Sequence, residues 1–141
     1  FAKESLANDT LRFKKFKEFD FTLPDSCNHT NLVKGKTYKV KIFQIISNIR
    51  TQDCKDFVYK DKAVFVGIHG LELMYWLAKD KLPQEEYIVS FDGQDSFNKN
   101  SKGKFLFPYV YIRPNCDLGW FGGTYVDTIE LGNYLLYFTE K

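Results

Sequence analysis

Only two histidines, His29 and His69, occur in the chain. Histidine is the side chain most often used for general acid–base chemistry, so these two are the first places to look for a reaction. His69 stands in Gly67-Ile68-His69-Gly70, directly ahead of a run with helical spacing. Glycines permit close backbone approach, and a helix N-terminus attracts anions. Such a turn could hold a phosphate or a carboxylate. It matches neither G-x-G-x-x-G nor the P-loop pattern G-x-x-x-x-G-K-[ST]. Asp92-Gly93-Gln94-Asp95 follows the apolar run Tyr87–Phe91. Carboxylates at a strand end can ligate a divalent cation, although the calcium-loop spacing is not met. His69, Asp92 and Asp95 around one cleft therefore define an enzyme reading, a small transferase or hydrolase.

Cys27, Cys54 and Cys116 are the chain's three thiols. A nucleophilic mechanism would pair Cys54 or Cys116 with a histidine, but neither carries the flanking signature of a cysteine hydrolase. No two cysteines have C-x-x-C spacing, which argues against a zinc ribbon. No metal or cofactor is expected. One disulfide plus one free thiol is the simplest arithmetic for an exported chain, and three pairings satisfy it.

Aromatic residues make up 18% of the chain, with 14 Phe and 9 Tyr. Gly119-Trp120-Phe121-Gly122-Gly123 sets two of the bulkiest side chains among glycines, where a loop would leave them poorly buried. With Tyr109 and Tyr125 they could form an apolar platform for a protein, glycan or lipid. Near the N-terminus Phe13, Phe16 and Phe19 recur every third residue, with Lys14, Lys15 and Lys17 between them. On a helix this spacing makes an apolar stripe beside a basic face, the pattern of peripheral membrane contact through Phe13, Phe16, Lys14 and Lys15.

These groups need elements to position them. Tyr38, Val40 and Ile42 alternate with Lys39 and Lys41, the period of a strand with one wet face. Phe57–Tyr59 and Ala63–Val66 read as two short strands, and Asn48–Lys55 as polar loop. Residues 71–82 read as a helix, apolar almost all round because Leu73, Trp76 and Leu77 join the stripe of Leu71, Met74, Tyr75, Ala78 and Leu82. Such a helix is usually buried on more than one side. Pro83 stops it. Tyr87–Phe91, Phe105–Ile112, Tyr125–Leu131 and Tyr134–Thr139 complete the strands, the last two flanking Gly132-Asn133 as a hairpin connection. Pro114–Gly123 reads as a long turn region.

With 141 residues, one domain is expected: an arm or short helix over 1–22 and a β-rich core over 32–141. The fold class is α+β, mainly an antiparallel sandwich or barrel of about seven strands with one internal helix. The net charge of +2 and the three arginines, Arg12, Arg50 and Arg113, argue against nucleic acid. No apolar run approaches the ~18 residues of a membrane span. A chain starting at Phe1, with sequons at Asn8 and Asn28, suggests an exported or envelope-associated protein. The poverty of histidine and the lack of a reaction motif favour a non-enzymatic binding or assembly module, using a strand edge and the aromatic segment as its contact surface.

Overall fold

The alternation at Tyr38–Ile42 sets the middle of a sheet. A computed structural model of the chain describes residues 11–28, 31–91, 106–113, 119–125, 128–129 and 132–141. Along the chain come β1 (Phe13–Thr22), β2 (Thr37–Ile45), β3 (Ile49–Arg50), α1 (Thr51–Lys60) and α2 (Gly67–Ala78). A 3-10 turn (Lys79–Lys81), β4 (Tyr87–Val89), β5 (Leu106–Ile112), β6 (Gly119–Tyr125), β7 (Thr128–Ile129) and β8 (Tyr134–Glu140) follow. Six strands form one mixed sheet in the order β1-β2-β8-β4-β5-β6, and β3 pairs with β7 in a separate ribbon. Every pairing in the sheet is antiparallel except that of β4 with β8.

The fold is α+β, but its layers differ from the expected sandwich or barrel. Helices rather than a second sheet pack on the strands. Tyr38, Val40, Ile42, Leu136 and Phe138 belong to a core cluster with Leu71, Met74 and Tyr75 of α2. Their chain neighbours Leu135 and Tyr137 belong to a second cluster with Ile45 and with Cys54 and Val58 of α1, against which Phe43 also packs. Successive strand residues point to opposite faces, so the two helices cover opposite sides of the sheet. β8 is buried from Leu135 to Thr139 because both its faces are covered, and it reads as a continuous apolar run rather than an alternation.

α1 replaces an expected loop and strand. Thr51, Cys54 and Val58 are its buried residues, a spacing of three and then four that fits one helix face. The Phe57-Val58-Tyr59 run hid that period. α2 begins four residues earlier than read. Its Trp76 is 74% exposed and Leu77 47%, so the all-round apolar helix buries only one side. Gly132-Asn133 does not close a hairpin. The Gly132 amide donates to the Ile45 carbonyl (2.9 Å) and the Ile45 amide to the Asn133 carbonyl (2.8 Å). That pairing extends the β2–β8 ladder, while β7 turns away to β3.

The expected N-terminal amphipathic helix is, from Phe13 onward, the edge strand β1. Its register against β2 slips between Lys15 and Lys17, which makes Phe16 the extra residue of a bulge. The bulge explains the three-residue spacing of the phenylalanines. On a regular strand Phe13 and Phe19, six apart, would share a face. With one inserted residue, Phe13 pairs with Ile45 on the α1 side and Phe19 with Val40 on the α2 side. Phe13 is buried and stacks on Phe57 at 3.9 Å. Phe13 and Phe16 therefore do not share one apolar stripe, since Phe13 is buried and Phe16 is 41% exposed at the bulge.

Candidate functional site

His69 is exposed on the first turn of α2, while Asp92 and Asp95 lie outside the described residues. The glycines beside it answer to packing. Gly67 has φ +56°, a left-handed conformation that suits glycine, and its amide donates to the Phe91 carbonyl at 3.0 Å. Gly70 donates to the Val66 carbonyl at 3.0 Å, and a Cβ placed on it would lie 2.3 Å from the Val66 Cβ. Both amides are thus engaged by the protein itself rather than free for an anion.

Cys54 is fully buried on α1, and burial pushes its thiol well above the ordinary range. The reactive form of cysteine is the thiolate, so Cys54 is unsuited to the nucleophilic role. Cys27 is half-buried, both thiols are free, and Cys116 lies outside the described residues. Under native conditions at pH 8, iodoacetamide is expected to alkylate Cys27 and to leave Cys54 intact until denaturant is added. Peptide mass spectrometry reads the result, and rapid native alkylation of Cys54 would contradict its burial.

The aromatic segment has a different backbone from the one read in the sequence. Gly119–Tyr125 is a strand, not a turn, and it is the edge of the sheet opposite β1. In register, Trp120 stands opposite Tyr111, Phe121 opposite Val110 and Tyr125 opposite Leu106; the β6 side chains lie outside the described residues. On the neighbouring strands the ring of Tyr87 meets Tyr109 at 5.4 Å and Tyr111 at 5.0 Å. Tyr87 is 43% exposed, and Tyr109 and Tyr111 are half-buried. The three rings form one aromatic face beside the β6 edge. Such contacts favour edge-to-face geometry, and the hydroxyls leave each ring a polar end.

A second site was not read from the sequence. A groove of about 380 Å³ lies on the α1 side of the sheet, lined by Lys39, Lys41, Thr139 and Lys141 with Asp61, Lys62 and Val64 of the α1–α2 connection. Asp61 accepts from Lys41 Nζ and from the Tyr137 hydroxyl, both at 2.7 Å, which fixes the carboxylate at the groove's inner end. Glu140 also contributes to the wall. Its carboxylate is turned to the other face, where it pairs with Lys36 at 2.6 Å beside the Tyr38 ring. At the rim, β1 supplies Glu18, 3.3 Å from Lys39, and Asp20, 2.5 Å from Lys141. The hydrogen bond from Lys141 holds the Asp20 carboxyl below its ordinary range. These rim pairs are open to water, where such pairs are worth about 0–1 kcal/mol.

Lys62 is the unusual member. The Lys62 amide donates to the Tyr59 carbonyl and the Ala63 amide to the Val58 carbonyl, at 3.0 and 3.1 Å. This is the double bond pattern that ends a helix with a left-handed residue, normally glycine. Lysine holds that position with φ +57°, at a cost of about 1–2 kcal/mol. The groove draws on three distant segments, so only the Lys39/Lys41 wet face was visible in the sequence.

Among the described residues no three His, Cys, Asp or Glu side chains gather as a metal site, and no helix is long and apolar enough to cross a membrane. Comparison with protein-family models, curated proteins and solved structures finds no significant match. The class defined by the geometry is an α+β domain with an aromatic sheet edge and a basic groove.

Proposed function

We propose that this domain is a non-enzymatic binding or assembly module, exported or envelope-associated, that holds a protein or glycan partner on the aromatic edge formed by β4, β5 and β6. The observation that carries the reading is the contact of Tyr87 with Tyr109 and Tyr111 on an accessible face, next to an edge strand bearing Trp120, Phe121 and Tyr125. Tyrosine and tryptophan are enriched where interfaces draw most of their energy. Rings with polar ends suit protein or sugar surfaces better than an acyl chain.

Site-specific photo-crosslinking tests this. A benzophenone amino acid at position 87 is expected to give a discrete adduct with one protein or glycan in cells that make the protein. The same probe at Lys60, exposed on α1, gives none, and Tyr111→Ala is expected to reduce the adduct at position 87. Equal labelling at both positions in a folded protein would overturn the proposal.

A further inference from the structure

We infer that the groove between β2, β8 and the α1–α2 connection binds a small, multiply charged oxyanion, a ligand bearing phosphate or sulfate groups. Four lysines line it, Lys39, Lys41, Lys62 and Lys141, beside Asp61 and Glu140. Its one inward carboxylate, Asp61, is already matched by Lys41 and Tyr137. The Glu140 carboxylate is held on the far face by Lys36. Lysines outnumber carboxylates in its lining by four to two; a concave wall with an excess of one sign of charge concentrates counter-ions, and a volume of about 380 Å³ falls within the range of small-molecule sites. The hydroxyl-bearing Thr139 is 7% exposed and forms part of the wall.

Lys62 adds the specific argument. No ion pair is formed by Lys62 among the described residues. It occupies a left-handed helix end where glycine would be at ease. Backbone strain of this kind collects at functional positions. A charge held there without an internal partner is available to a ligand. Lys39 and Lys141 can exchange their water-exposed rim carboxylates for the same ligand. Lysine presents each charge as a point rather than a planar fork, which matches a rounded oxyanion better than a flat carboxylate.

Pyrophosphate is the probe, with inorganic phosphate, sulfate and acetate as comparison arms at constant ionic strength. Amide NMR is expected to show saturable shifts confined to residues around Lys39, Asp61, Lys62, Thr139 and Lys141. Pyrophosphate should bind more tightly than phosphate or sulfate, and acetate should not saturate. Lys62→Gly should weaken pyrophosphate binding about fivefold while raising the melting temperature, because glycine relieves the strain. Lys62→Arg should stay within about twofold of the parent, since it keeps the charge. The opposite signs for stability and binding separate a ligand site from a structural one. Unsaturable shifts, shifts reproduced by sodium chloride, or unchanged affinity in Lys62→Gly would each overturn the inference. If acetate saturates as tightly as pyrophosphate, the site reads only generic negative charge, and the multiply charged class is wrong.

Discussion

Gly70→Ala is expected to destabilise the domain by about 2–3 kcal/mol. Helix propensity alone points the other way, because alanine in a helix interior is favoured over glycine by about 1 kcal/mol. Sterics win here for a local reason. The new Cβ would lie 2.3 Å from the Val66 Cβ and 2.2 Å from one of its methyl groups. A methyl can swing away by changing rotamer, but a Cβ moves only with its backbone. That backbone is held. Val66 is 3% exposed, and the next residue's amide is bonded to the Phe91 carbonyl. The helix start must therefore shift as a unit away from β4. Urea unfolding followed by circular dichroism reads the loss as a lower midpoint at unchanged slope. Adding Val66→Gly should recover part of the loss, so the pair will be non-additive. A Gly70→Ala protein as stable as the parent would show that this contact does not exist.

Phe138→Ala is the larger of the two losses, about 3–5 kcal/mol. Phe138 is fully buried in β8, with its ring edge-on to Phe21 at 5.8 Å and tilted against Tyr38 at 6.4 Å. Truncation opens a cavity where β1, β2 and β8 meet the α2 side of the core. Three covered strands cannot easily collapse into that space, so little of the cost will be relieved. Domains of this size hold only about 5–15 kcal/mol in reserve, and this one change would consume a large part of it. Phe16→Ala is the matched control. Phe16 is 41% exposed at the bulge and touches Tyr134 edge-on at 5.1 Å. Its truncation should cost no more than about 1 kcal/mol. Similar losses at both positions would mean that the bulge is placed wrongly in β1.

The parts of this fold that were legible in the sequence are those with one clean period. β2 alternates because its middle presents lysines on one face, and α2 was visible from Leu71, Met74, Tyr75 and Ala78. β1 was read as a helix because a bulge turns a two-residue period into an apparent three. α1 was lost because Phe57 and Tyr59 flank Val58 and conceal the Thr51, Cys54, Val58 face. Of the candidate sites, Tyr109 was legible by residue type, but its contact with Tyr87 depends on the β4–β5 pairing. Of the groove, only the Lys39/Lys41 wet face was legible. Asp61 lies between the runs Phe57–Tyr59 and Ala63–Val66 that read as strands, and no residue type around Lys62 signals its left-handed backbone. Residue type can nominate aromatic surfaces, whereas a cleft assembled from β2, β8 and a helix end exists only after the chain has closed.

β8 follows every other strand in chain order, yet lies between β2 and β4 in the sheet. During synthesis the β1–β2 pair and the β4–β5–β6 meander can each form early, but they share no edge until β8 arrives to join them. Until then each half leaves an apolar strand open toward the other, and two nascent chains could pair across those open edges. Folding is consequently expected to be late and abrupt rather than progressive, with the slow step being the threading of one strand between two waiting ones. A chaperone that shields β2 and β4 until β8 emerges would matter more to the yield of this domain than to its final stability.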